Sequence, residues 1–156
     1  MLAIGIRWMI HADMEQIYEI ENESFVYPWD EHTFHQCLRQ RNTIGLSVEH
    51  RECVIGFMIY ETHKRHFRLT NFAVHPHYRR QGVGTQMIQK LIGKLSQRRP
   101  NLVLEVSEMN LPGQLFFREL GFKAIKILHD FYNQPGIDAY QFQFNMYSKQ
   151  HVKNES

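Results

Sequence analysis

From Val83 to Leu95 the apolar side chains fall at Val83, Met87, Ile88, Leu91, Ile92 and Leu95, the three-and-four spacing that lays one stripe along a helix. The same period runs through Met14, Ile17, Tyr18 and Glu21, with Asp13 as a residue type suited to capping that helix. Before it, the apolar stretch 4–10 reads as a strand. Pro28 stops the first helix in Phe25-Val26-Tyr27-Pro28-Trp29, and Asp30 caps a second, short helix carrying Phe34 and Leu38. Residues 43–48, 54–60 and 67–74 favour strands and are joined by polar segments, which predicts an antiparallel meander. Pro100 then breaks the chain, and 102–106 is a short apolar strand. Asn110 or a neighbour starts a further helix with Pro112 in its first turn, and Gly121 ends it. Two last strands, 122–131 and 139–147, flank Gln134-Pro135-Gly136. The order β α α β β β α β α β β predicts an α/β fold with helices on a mixed, mostly antiparallel sheet.

The chain has 156 residues, enough for one domain that buries about 70% of its unfolded surface. We expect that domain over 1–147 and a polar tail over 148–156. A formal charge of +2 argues against wrapping nucleic acid. Cys37 and Cys53 are too few for a disulfide framework and read as small buried residues of a reducing compartment. No apolar run reaches membrane-spanning length, and Arg7 interrupts the N-terminal one. A cytoplasmic protein that binds neither membrane nor nucleic acid is expected.

The predicted strand 67–74 leads into Arg79-Arg80-Gln81-Gly82-Val83-Gly84-Thr85, a basic glycine turn that runs straight into an amphipathic helix. Helix N-termini carry N–H groups without intrahelical partners and the positive end of the dipole, and glycine lets an anion approach the backbone. A diphosphate site follows as the reading of this turn. Nucleotide hydrolysis is disfavoured because no lysine follows the glycines, and a dinucleotide fold because the preceding strands form a meander. A tight strand-to-helix turn with no ligand is the remaining alternative on the residues alone.

Arg-x-x-Gly-x-Gly at 79–84, preceded by NFAVHPHYR, resembles the acetyl-CoA motif of the Gcn5-related N-acetyltransferase (GNAT) superfamily, and the likeness extends over nearly the whole chain. YPWDEHTF at 27–34 and LEVSEMN followed by LFFRELGF are similar to the substrate loop and catalytic region of its RimI type, which acetylates protein N-terminal amines. The resemblance implies acetyl-CoA as cosubstrate, held by Phe72, Ala73, Val74, residues Arg79 to Thr85, Asn110 and Phe117. It implies a protein or peptide N-terminus, a ribosomal protein among the candidates, as acceptor. It also implies that backbone N–H groups of Phe72, Ala73 and Val74 face the thioester, where fixed donors contribute strongly to catalysis.

Acetyl transfer needs a neutral amine and a fate for the thiolate. An α-amino group titrates near 8 and a lysine near 10.4, so an N-terminal acceptor requires only mild deprotonation. Glu105, matching the family's proton acceptor, is the candidate base, directly or through water. Phe117 stands where the family has a tyrosine that protonates the thiolate, and phenylalanine cannot donate. A general acid contributes about 10²–10⁴ in rate, but a thiol is a good leaving group. Tyr132, Tyr140, Tyr78 and water are the alternatives the sequence leaves, with Tyr132 the candidate catalytic residue. Tyr27, Trp29, Phe131 and Tyr132 read either as core aromatics or, from their places beside loops, as an aromatic acceptor slot, with Tyr27, Trp29 and Tyr132 the candidates for substrate binding.

Ten histidines, including His75 and His77, have no acidic or cysteine partners converging on them in sequence, so no metal site is expected. Gln97-Arg98-Arg99 reads as a solvated helix end. Beside an N-terminal acetyltransferase stand two alternatives: an enzyme acting on a small-molecule amine or lysine, and a non-catalytic acyl-CoA-binding module.

Overall fold

The three-and-four apolar repeats form helices and the β-favouring runs form strands, in the predicted order. The computed structural model describes residues 1–132 and 136–148. Its elements are β1 (Gly5–Trp8), α1 (Met14–Ser24), α2 (Glu31–Leu38), β2 (Thr43–His50), β3 (Cys53–Thr62), β4 (His66–Val74), α3 (Val83–Ile92), β5 (Asn101–Ser107), α4 (Leu111–Glu119), β6 (Lys123–Leu128) and β7 (Ala139–Asn145). Short 3-10 turns occupy His11–Asp13 and Pro76–Tyr78. The strand order is β1-β2-β3-β4-β5-β7-β6. Pairing is antiparallel for β1/β2, β2/β3, β5/β7 and β6/β7, and parallel for β4/β5, giving the expected mixed, mostly antiparallel sheet.

The chain forms two compact units, with β4 contributing to both. The first comprises Met1–Thr62 and Thr70–Gly93. Its core gathers Met14, Ile17, Ile20, Phe34, Val54, Phe57, Ile59 and Ala73. Phe34 sits edge-on to Trp29 at 5.2 Å and to Phe57 at 5.8 Å, which fastens α2 to β3. On α3 the residues Val83, Met87, Ile88 and Leu91 are buried, as the stripe requires. Asp30 caps α2 by accepting the Thr33 N–H at 2.8 Å. Arg51 and Glu52, both at positive φ, make the two-residue turn between His50 and Cys53, the twist that suits a tight hairpin.

The second unit comprises His63–Leu69 and the described chain from Lys94 onward. Here β4 pairs with β5 from His66↔Asn101 to Leu69↔Leu104. An aromatic run of Phe116, Phe117, Phe122 and Phe144 packs ring to ring at 5.0–5.5 Å. Gly121 at φ +98 ends α4, a conformation that glycine adopts at little cost.

Several expectations are corrected. Asp13 precedes α1 but does not cap it; its carboxylate takes two bonds from Arg7 at 2.8 Å each, the Ile10 N–H at 2.9 Å and Ser47 Oγ at 2.7 Å. The helix α3 ends at Ile92, short of Leu95. β6 stops at Leu128 rather than Phe131, because Asp130 turns at φ +50 with its N–H bonded to Asp138 at 3.0 Å. Gln134 and Pro135 lie outside the described residues, as does the tail beyond Ser148. Cys37 is half-buried and Cys53 exposed. Arg99 is not simply solvated: Nε donates to His63 O at 2.6 Å and the guanidinium lies 5.8 Å over the Phe67 ring.

Candidate active site

In the first unit β4 hands over to α3 through the predicted basic turn. Arg80 at φ +62 and Gly82 at φ +80 bend the backbone into the left-handed region. The first intrahelical bond runs from Gln86 N to Gly82 O at 3.1 Å, and no side chain caps the helix. The N–H groups of Val83, Gly84 and Thr85 therefore have no acceptor within the helix. Arg80, Gln81 and Gly82, together with Met1 and Leu2, line a shallow, open depression of the surface. This arrangement fits a diphosphate: a positive helix end, a glycine with no side chain and a guanidinium at one place. Met1 crosses the same glycine; a Cβ on Gly82 would lie 3.2 Å from Met1 Cγ.

Arg79 is engaged with neighbours of the turn. Its Nε donates to Val74 O at 3.0 Å and Nη2 to Ser24 Oγ at 3.0 Å, so it ties the turn to β4 and α1. Ala73 and Val74 are buried, and the Phe72 N–H donates to Asn71 Oδ1 at 2.8 Å. In the loop between α1 and α2, Tyr27 is 68% exposed, while Trp29 packs on Phe34 and its N–H donates to Glu21 Oε1 at 3.2 Å.

In the second unit Glu105, on β5, has a side chain only 8% exposed and receives Arg68 Nε at 3.0 and 3.3 Å. Gln141 Nε2 adds a longer bond at 3.5 Å. Tyr132 is 37% exposed; partial desolvation and then the Glu105 charge raise its phenol above the ordinary range. A phenol so placed keeps its proton at neutral pH, which is what an acid needs. Asn110 caps α4, accepting the Gly113 N–H at 3.0 Å. Phe117 is 7% exposed and enclosed by Phe116 and Phe122.

The glycine turn, the β4 end and the loop between α1 and α2 thus share the first unit, and Glu105, Tyr132, Asn110 and Phe117 share the second. Sequence reasoning missed Glu21, Asn71, Arg68 and Gln141. One signal was visible: Glu21 is a charged residue on the apolar stripe of α1. The histidine reading also changes, because Glu19 and Glu23 do converge on His75, with ligand atoms within 4.8 Å of one another. His75 Nδ1 accepts the His77 N–H at 3.1 Å, which makes Nε2, 3.6 Å from Glu23 Oε2, the nitrogen that bears hydrogen, and neither ring nitrogen then offers a metal a free lone pair.

The sequence matches the acetyltransferase (GNAT) family over residues 14–122. The chain belongs to that family. The [ribosomal protein bS18]-alanine N-acetyltransferase of Haemophilus influenzae is 31% identical over 80% of this chain and 84% of that protein. The crystal structure of the ribosomal-protein-S18-alanine N-acetyltransferase from Escherichia coli superposes with a TM-score of 0.82 at 26% identity, covering 92% of this chain and 94% of that one. Arabidopsis thaliana NAA60 in complex with acetyl-CoA shares the fold, with a TM-score of 0.79 at 18% identity over 92% and 99% of the two chains. As a GNAT-family acetyltransferase, this chain is an enzyme whose acyl donor is acetyl-CoA. Among the described residues no helix is long and apolar enough to cross a membrane.

Proposed function

We propose that this acetyltransferase transfers the acetyl group directly to the α-amino group of a protein N-terminus, with a ribosomal protein as the leading acceptor and the cytoplasm as its place of action. The observation that carries the acceptor is the likeness to ribosomal-protein alanine N-acetyltransferases through four-fifths of the chain. The exposed Tyr27 beside the anchored Trp29 gives the acceptor loop an amphipathic surface suited to a peptide end.

Acetyl-CoA, when bound, supplies an activated thioester carbonyl. The turn from Arg80 to Thr85 holds its diphosphate through backbone N–H groups and the Arg80 charge. Ala73 and Val74 would offer main-chain donors to the carbonyl and pantetheine, Phe72, whose own N–H is taken by Asn71 Oδ1, would line them, and Asn110 and Phe117 would complete the cofactor contacts. Glu105, held by Arg68, takes a proton from the acceptor's ammonium, through water where the ion pair blocks direct approach, and the neutral amine so formed attacks the thioester carbonyl. Tyr132 returns a proton to the departing sulfur, the role that Phe117 cannot fill. Each transfer then forms the amide bond, breaks the thioester bond and leaves one proton with the solvent.

Mass spectrometry of protein N-termini from cells with and without the gene tests this reading. Loss of acetylation at a small set of N-termini, ribosomal proteins among them, is expected. Unchanged N-terminal acetylation would overturn it.

A further inference from the structure

The apolar stripe of α1 carries one carboxylate where a hydrocarbon would be cheaper to bury. Glu21 is 2% exposed. One of its oxygens accepts the Trp29 N–H at 3.2 Å and the other accepts Asn71 Nδ2 at 2.8 Å. Asn71, 8% exposed, uses its side-chain oxygen on the Phe72 N–H at 2.8 Å. The orientation of the amide is fixed by this count, since a flip would set donor against donor at Phe72 and lone pair against carboxylate at Glu21. A continuous run of hydrogen bonds therefore leads from the backbone of the acceptor loop, through α1, to the peptide at the β4 end.

Burial raises the pKa of Glu21, the cost of holding a charge away from water, and satisfied hydrogen bonds only offset that cost. Replacing such a group by a hydrocarbon often leaves a fold as stable or more so, which directs attention to function. Resting on the acetyl-transfer reading above, we propose that Asn71, oriented by Glu21, is a positioning residue for the reaction. It fixes the Phe72 peptide and couples its orientation to the Trp29 end of the acceptor loop.

The donor count supplies the test. Glu21→Gln offers one acceptor oxygen where two N–H groups point, and Asn71→Asp sets two carboxylates face to face. In the double variant the introduced glutamine accepts from Trp29 and donates to the introduced aspartate, which accepts from Phe72, so every bond is restored. With both substrates saturating, each single variant should lower kcat about tenfold, and the double should recover to within about threefold of wild type. Calorimetric affinity for CoA should stay within about twofold throughout. In the cofactor-free protein, hydrogen exchange of the Phe72 amide should be slow in wild type and double variant and fast in the singles. Full kcat in the singles, a double no better than the worse single, or equal losses in CoA affinity and kcat would overturn the proposal. An active wild type with an unprotected Phe72 amide would overturn the relay alone. A wild type inactive on every N-terminal peptide, with the exchange pattern as expected, would instead overturn the acetyl-transfer reading.

Discussion

Arg68 Nε lies 3.0 Å from Glu105 Oε1, binding a guanidinium on β4 to a carboxylate whose side chain is 8% exposed on β5. The pair spans the parallel β4/β5 junction of the sheet, so it both staples the two strands and fixes the carboxylate in one orientation. A carboxylate held this way is placed accurately but is not free to swing.

Glu105→Gln keeps the shape and removes the basicity. Turnover should fall about 10²-fold or more, with calorimetric CoA affinity unchanged. An unaltered pH-rate profile in this variant would remove Glu105 from the proton-accepting role. Arg68→Met, by contrast, should lower both turnover and stability, the latter by ~2 kcal/mol, because a carboxylate this enclosed loses its ionic partner. Denaturant unfolding beside steady-state kinetics separates the two effects.

Burial and the Glu105 charge raise the Tyr132 pKa still further above neutrality, so its phenol holds its proton at neutral pH as an ordinary tyrosine does. Tyr132→Phe should lower kcat about 10²-fold, within the usual range for a general acid. Phe117→Tyr should change kcat less than tenfold, since its ring is closed in by Phe116 and Phe122, and a hydroxyl added there should cost ~1–2 kcal/mol of stability. A rise of tenfold or more in turnover would return the acid role to position 117.

Gly82 sits at φ +80 with Met1 against it. Gly82→Ala should destabilise by ~1 kcal/mol through the left-handed backbone alone. Gly82→Glu adds bulk and negative charge at the anion turn and should abolish CoA binding in calorimetry. Wild-type affinity in the glutamate variant would sink the assignment of this turn to the diphosphate.

Asp13 is held at a pKa of about 2, against an ordinary 3.8, chiefly by its bonds from Arg7. A carboxylate depressed on folding stabilises the native state above its unfolded pKa and loses that contribution as pH falls through the folded value. The contribution should be ~2 kcal/mol at neutral pH, fading between about pH 4 and pH 2. Asp13→Asn should remove it and flatten that part of the acid unfolding curve; an unchanged acid limb would show that Asp13 does not carry it.

Periodicity made the element order legible, because Val83, Met87, Ile88 and Leu91 or the runs around β2 and β3 each declare a buried face locally. The glycine turn was legible for the same reason: its conformation depends on its own residues. What escaped depends on residues far apart in sequence. Asp13 has the chemistry of a cap, yet Arg7 and Ser47 bid for its oxygens more strongly than its own helix. β7 enters between β5 and β6, a choice no local pattern encodes. Arg68 read as an ordinary strand residue until the parallel register brought β4 beside β5, and Asn71 became informative only once Glu21 stood across from it.

The most direct test of the account is one reaction: purified protein, acetyl-CoA and a peptide that begins with alanine and contains an internal lysine, analysed by fragment-ion mass spectrometry. The account predicts a single acetyl group on the α-amine, with one equivalent of free CoA thiol released. Acetylation of the lysine alone, or no transfer to this peptide or to peptides with other first residues, would contradict it.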